Sequence, residues 1–438
     1  MISDMFSRRS RRPKSADLVK AWECLDSGDL PGAVRQLRAA GEDAPVVEVA
    51  LVVERAARAA GFDDLEQAAA ALAARPDHAN HLFDFGYACV ERGLSFLAIP
   101  PLRTVLDHNP GAPAVLRELV SAYEREERHQ EAMTELARHE GEFADWPDRY
   151  LLVYNALMAG DLDTARRQHA RLTEPEDAQW LPTWDRQTRM LERAAALGEP
   201  SGLRDWQYVI GGQVLGTLSP FGFAAGMAGR YAWLQDSPAL CLAGLRRLAI
   251  LLATTRVDPR SVSLLPDRGS RILGLAAAEV LDLPAVPFEP DRRDTVVVAY
   301  DLNELAGHPS GPEVIGSLFE RVPGQVLHEH AGCWTDTPAV TADSVGLLHQ
   351  SVAAPWGERL RVGANGEAER EAADERPEEE SAAEIVRAAA APDEGDGEGP
   401  ADPDEAFAAF AESVRDSWLT GDRARVNSSG PVRSSRFA

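Results

Sequence analysis

The sequence predicts an α plus α/β chain: an N-terminal helical solenoid, then an α/β domain with a mostly parallel sheet, then a disordered acidic tail carrying one amphipathic helix. Three observations carry this prediction. Between residues 16 and 199 apolar residues recur at helical spacing, interrupted by Gly-Asp, Pro-Asp and Asn-Pro breaks. From Val257 to Leu305 the pattern changes to short β-branched runs separated by a helix. From Ala364 to Asp404, Glu, Asp, Ala, Gly and Pro dominate. The implied boundaries are a basic tail at 1–15, the array at 16–199, the α/β domain at 200–357, an acidic linker at 358–403, a helix at 404–425 and a flexible end at 426–438.

Composition narrows the function classes. Of 438 residues, 45% are apolar, enough for real cores, and the net charge of -25 makes nucleic acid or an anionic membrane a poor partner. The last stretch is the most acidic, with 20 Asp and Glu against 10 Lys and Arg from Glu358 onward. Arg8, Arg9, Arg11, Arg12 and Lys14 have no apolar run behind them, which reads as a solvated basic tail and not a secretory signal. Cys24, Cys89, Cys241 and Cys333 form no CxxC pair, so a reducing cytoplasm is expected. Gln207 to Gly229 carries no charge, but its six glycines suit a packed segment better than a membrane span.

Within the array, the small residue opening each second helix can be placed at Ala33, Asp64, Ala98, Ala132 and Ala165, spaced by 31, 34, 34 and 33. Pro45, Pro76 and Pro110 follow three of these anchors by twelve, and Gly86 precedes Ala98 by twelve. With Leu82, Phe85 and Gly86 in one first helix, this half resembles tetratricopeptide (TPR) repeats, four or five of them. Asp64 at a small-residue position departs from that pattern. The resemblance implies a curved solenoid whose concave groove accepts an extended peptide or helix of a protein partner. Trp146, Trp180, Trp184 and Trp206 are expected to form core at the end of the array.

The α/β domain opens with a buried helix from Pro238 to Thr255. Ser261 to Leu265 is a strand stopped by Pro266-Asp267, Gly269 to Leu281 a helix, Leu283 to Phe288 and Thr295 to Tyr300 two strands. A helix from Glu313 to Arg321 and a strand from Gln325 to His330 follow, an alternation that implies parallel pairing with right-handed crossovers. Polar residues then emerge at strand carboxyl ends, where open α/β sheets place ligands.

This element order is similar to type I phosphoribosyltransferases. Asp267, Arg268 and Gly269 would occupy the pyrophosphate loop, and Asp301 the acidic position of the ribose-phosphate loop. Tyr300 stands where that family has a second acid, and Leu302 to Gly307 lacks its Thr-Gly cradle. The ligand-binding candidates are therefore Asp267, Arg268, Arg271, Asp301, Asn303 and Glu304, with no catalytic residue and no cofactor assigned. His328, His330 and Cys333 form an HxHxxC cluster, read as ordinary strand and loop residues because no fourth ligand stands nearby, so no metal is expected.

In the tail, Phe407, Phe410 and Trp418 lie on one face of an amphipathic helix tethered by the acidic linker, free to dock in the solenoid groove or on a partner. Together these features suggest a cytoplasmic adaptor: a TPR-like solenoid fused to a phosphoribosyltransferase-like domain without catalysis. The alternative is a nucleotide- or phosphoribosyl-binding enzyme or sensor acting at the sheet's carboxyl edge.

Overall fold

A computed structural model of the chain describes residues 12–363, 366–389, 395–426 and 428–434. Most of the basic tail, the last four residues and short pieces of the acidic linker lie outside the described residues. The chain divides into two compact units after Thr173, earlier than the 199/200 boundary the sequence suggested.

In the first unit, ten α-helices stand among the described residues. They form five antiparallel hairpins: α1 (Ala16–Asp26) with α2 (Leu30–Ala40), α3 (Val46–Ala60) with α4 (Asp63–Ala74), α5 (Ala79–Glu91) with α6 (Ser95–His108), α7 (Pro113–Arg125) with α8 (His129–Arg138), and α9 (Tyr150–Ala159) with α10 (Leu162–His169). This half is a TPR-like solenoid. Local signals set the turns: Asp29 caps α2 by accepting from the Gly32 N–H at 2.8 Å, Asp161 caps α10 through Thr164, and Gly61 and Gly160 end their helices in the left-handed region. Ala33, Ala98, Ala132 and Ala165 are all fully buried, as close helix approach requires. Asp64 departs, lying exposed and ion-paired with Arg92 at 2.8 Å, and Leu65 is the buried residue there.

Gly86 decides the spacing of one hairpin. A Cβ at this position would lie 2.6 Å from Cγ of the fully buried Leu102. Gly86→Val is therefore expected to destabilise the helical unit by about 1–3 kcal/mol, read as a lower midpoint in urea at unchanged m-value. An unchanged midpoint would mean that the hairpin can open without cost.

The second unit starts with α11 (Leu181–Leu197) and α12 (Leu203–Gly211), followed by strands β1 (Val214–Leu215) and β2 (Tyr231–Gln235). Next come α13 (Pro238–Thr255), β3 (Ser261–Leu264), α14 (Arg268–Val280), β4 (Ala285–Pro287) and β5 (Thr295–Ala299). The short helices α15 (Leu302–Gly307) and α16 (Gly311–Ser317) lead to β6 (Val326–Cys333) and β7 (Ser344–Ala353). The strand order is β4-β3-β5-β6-β7, with β1 and β2 on the outer side of β7, and every pairing in this sheet is parallel. Leu264 pairs with Val298, and Ala299 with Glu329.

One face of the sheet packs Val296, Val298 and Tyr300 against α13 and α14, and the other packs Val297 and Ala299 against α15 and α16. Helix α13 is long and apolar enough to cross a membrane by length and composition. Its Cys241, Leu245, Leu248 and Leu251 are buried in this core. The glycine-rich stretch from Gln207 to Gly229 is the end of α12, β1 and a run of turns, with Gly222, Gly226 and Gly229 at positive φ. Of the tryptophans expected in the core, Trp206 is buried and Trp146, Trp180 and Trp184 are half-buried.

The region expected as a disordered acidic linker departs from that picture over two pieces. An exposed hairpin forms from β8 (Arg359–Val362) and β9 (Ala368–Glu371), and Glu378–Arg387 form helix α17. Ser381, Ala382 and Ile385 give α17 a narrow buried stripe against α14, and Arg271 pairs with Glu378 at 2.8 Å. Farther on, the N–H groups of Leu218, Gly222 and Ala224 donate to Asp402, Asp396 and Glu398, so three acidic side chains are held by the glycine-rich turns.

The last helix, α18 (Asp404–Val414), lies on α13 inside the same core. Phe407 is buried between the guanidinium groups of Arg204 and Arg247, 5.1 and 4.9 Å from its ring centre. Phe410 meets Tyr208 edge to face, and the buried Trp418 donates its indole N–H to the Asp343 carbonyl at 3.0 Å. These three residues, expected as a tethered docking face, are packed within their own unit, because α13 and Tyr208 offer the apolar surface their stripe needs.

Candidate functional site

The sheet reverses its winding between β3 and β5: the chain leaves β3 into α14 on one face and leaves β5 into α15 on the other. Loops departing in opposite directions leave a crevice at the carboxyl ends, and here it is a cleft of about 1000 Å³. Its walls include Asp267, Gly269, Glu304, His308, Trp356 and Glu358.

Asp267 caps α14, with Oδ2 accepting from the Ser270 N–H at 2.9 Å. Its Oδ1 is buried without a hydrogen-bond partner among the described residues. Asp301 caps α15 by accepting from the Asn303 N–H at 2.8 Å, and Asn303 donates its side-chain amide to the Asp336 carbonyl. Glu304 lies at the mouth, its side chain open to solvent along part of its length and its carboxylate packed against Gly269. The structure thus brings together Asp267, Asp301 and Glu304, with Asn303 next to them. Arg268 also lines the cleft but donates to the carbonyls of Asp374 and Arg376, and Arg271, outside it, donates to Glu378.

Two further groups face this edge from the neighbouring strands. Glu329 on β6 accepts from the Leu302 N–H at 2.9 Å, and Nε2 of His349 on β7 lies 3.8 Å from Asp301. Burial pushes the Asp301 carboxyl up to about 6, with Asp267 and Asp336 adding to the effect against the N–H groups of Asn303 and Glu304. Partial burial, then Asp301 and Asp267, push Glu304 up to about 7. Burial and the Asp301 charge drive Glu329 well above its ordinary range, and burial lowers His349 to about 4. The edge is therefore a set of mutually repelling carboxyl groups beside a neutral imidazole.

Sequence reasoning missed Glu329, although an acid within an otherwise apolar strand was a usable signal, and it considered His349 only as a fold-back ligand to the HxHxxC cluster, not as a neighbour of Asp301. A raised carboxyl pKa in the fold gives stability that is full below the unfolded value near 4.3 and is lost as pH rises through the folded value. Glu329→Gln copies the protonated form. It is expected to raise the thermal midpoint by roughly a few degrees at pH 8 and to leave it unchanged at pH 4. A lowered midpoint at pH 8 would show that the ionised form is the one the fold stabilises.

A second polar cluster lies deeper, where Asp236, Cys241 and His330 hold their ligating atoms within 4.8 Å of one another. Thiol, imidazole and carboxylate together suit zinc. Ligation through Nε2, however, would put the ring proton on Nδ1, which has no partner among the described residues and sits against Gly244 and Gly346. The groups satisfy one another instead: Tyr300, His330 and Cys241 approach the same Asp236 oxygen at 3.0, 3.1 and 3.4 Å. His328, of the same HxHxxC motif, faces Ser344 at 3.2 Å, and burial lowers it to about 3. Burial, with the Asp236 carboxylate beside it, likewise drives the Cys241 thiol well above its usual value, which favours the neutral thiol.

The helical unit has its own pocket, of about 240 Å³. Val46, Val49, Phe85, Phe96 and Pro101 make an apolar floor. Its rim is ionic: Arg38 reaches Glu126 at 2.5 Å, and Glu42 accepts from both Arg103 and Arg128. These pairs tie α2 and the turn after it to α6 and to the turn between α7 and α8.

Among solved structures, the chain resembles MamA. A MamA structure from AMB-1 is 23% identical, covering 36% of this chain and 96% of that one with a TM-score of 0.24. Another, from MSR-1, is 22% identical over 40% of this chain and 94% of that one, with a TM-score of 0.23. No family model matches the chain, and no curated protein does.

Proposed function

We propose that the chain is a protein-interaction adaptor, in which the TPR-like array takes a partner segment and the α/β unit binds a ligand without transferring a group. The observation that carries this is the pocket of the helical unit, whose floor of Val46, Val49, Phe85 and Phe96 would accept one apolar side chain beneath an ionic rim. Such a socket, buried and ringed by polar groups, is the form that binding hot spots take. Affinity capture with the full chain, repeated with Phe96→Glu, tests the reading. Proteins recovered by the native chain and lost with the variant support it, and identical recoveries refute it. The free state of all four cysteines agrees with a cytoplasmic setting, which we propose as well.

A second reading, a ligand or phosphoribosyl sensor at the carboxyl edge, is favoured by the cleft at the β3/β5 reversal. The likeness to phosphoribosyltransferases would put Asp267 and Asp301 in its two ligand loops. Against a phosphate there, Arg268 and Arg271 are committed to protein acceptors and the lining is acidic.

A further inference from the structure

We propose that the cleft at the carboxyl edge binds a small organic cation, a guanidinium or primary ammonium group, with Asp267 and Glu304 as its anionic partners and Trp356 as the wall along its stem. The inference rests on reading that cleft as a binding site, and it replaces the phosphate with a ligand of opposite charge.

Three separate observations converge on it. The cleft sits where the winding reverses, the place at which loops leaving in opposite directions open a crevice. Asp267 is buried at its wall with one carboxylate oxygen unpartnered among the described residues, and a buried acceptor without a donor carries a desolvation penalty that a bound N–H group would offset. The lining also contains Glu304, Glu358 and Glu375, while its one arginine, Arg268, donates to the carbonyls of Asp374 and Arg376. No lysine or arginine among the described residues pairs with Asp267, Asp301 or Glu304, and His349 beside Asp301 is neutral above a pH of about 4. The indole of Trp356 stands edge to face with Tyr300 and lies beside Gly269, where an added Cβ would meet the Glu304 carboxylate at 3.2 Å and the indole at 3.5 Å. A flat, weakly hydrated cation with an apolar stem matches an aromatic wall and two carboxylates.

The groups facing Glu304 and Asp301 are Asp267 at the start of α14, Glu329 on β6, Asp336 in the β6–β7 loop and His349 on β7. With Glu304 raised to about 7 and Asp301 to about 6, both take up protons as pH drops from 8 to 5.5, and cation affinity is expected to fall over that range. The test is a thermal-shift and calorimetric titration of the full chain with L-arginine, putrescine and spermidine, with citrulline as the neutral control. Inorganic pyrophosphate, ribose 5-phosphate and magnesium are titrated in parallel. The expected result is a saturable rise in midpoint of roughly 5 °C at a hundredfold excess over Kd for at least one organic cation, with none for citrulline. Glu304→Gln should weaken that binding about tenfold or more, and Glu313→Gln, an exposed acid outside the cleft, should not.

Equal binding in both variants, or a citrulline response equal to that of arginine, overturns the proposal. Saturation by magnesium alone overturns it in favour of a metal. Binding of pyrophosphate or ribose 5-phosphate without any cation overturns it while leaving the edge a ligand site, and no binding by any probe refutes both.

Discussion

Removal of residues 400–438 is expected to unfold the α/β unit. Phe407, Val414 and Trp418 are at most 5% exposed, in a core shared with α13 and Tyr208. Burying a large apolar side chain contributes about 1.5–3 kcal/mol, so three of them approach the roughly 5–15 kcal/mol that holds a whole domain together. The truncated chain should lose its cooperative transition by near-UV circular dichroism and become sensitive to protease after Thr173, while the helical signal of the first unit persists. A tethered arm docking elsewhere would come away without any change in melting. Phe407→Ala gives a graded version: about 3–5 kcal/mol, including the loss of the contacts that Arg204 and Arg247 make with the ring.

Arg423→Ala is the second large effect, at about 3–5 kcal/mol. The Arg423 side chain is fully buried, donating to Asp343 at 2.8 Å and to the Leu318 and Gln325 carbonyls. Asp343 has no exposure and also takes Arg321. Burial alone would push the Asp343 carboxyl up, yet Arg321 and Arg423 hold it below its ordinary value. A depressed carboxyl pKa contributes stability that is present above the unfolded value near 3.9 and is lost as pH falls through the folded value. The native unit should therefore lose stability steeply below about pH 4, and Asp343→Asn should flatten that acid limb while lowering stability at neutral pH. An unchanged acid limb in the variant would remove Asp343 from the account.

The candidate site was legible to the extent that it depends on local sequence. A β-branched run ending in Pro266-Asp267 and another ending in Tyr300-Asp301 place two acids at strand ends, and caps are local features. In sequence, Arg268 and Arg271 look available as ligand groups because each is a charge shortly after a strand. Their partners, the carbonyls of Asp374 and Arg376 and the carboxylate of Glu378, lie more than a hundred residues away. Strand β7 also escaped, since a central parallel strand is buried on both faces and shows no alternation. Gly346 within it is explained by the backbone and ring of His330, into which a Cβ would collide at 2.6 and 2.8 Å.

By itself the sequence determined the periodicities: helical hairpins with small residues at their crossings, helix α13 over its full span, strands β3 to β6 and the apolar stripe of α18. All depend on neighbours within one or two turns or one strand. Tertiary structure alone decided which polar groups are occupied and which face the cleft, because an arginine is spent or free according to acceptors brought up by distant chain. It also decided that Phe407, Phe410 and Trp418 belong to the core. An amphipathic stripe specifies that it must be covered, and the nearest uncovered apolar surface, here α13 and Tyr208, determines by what.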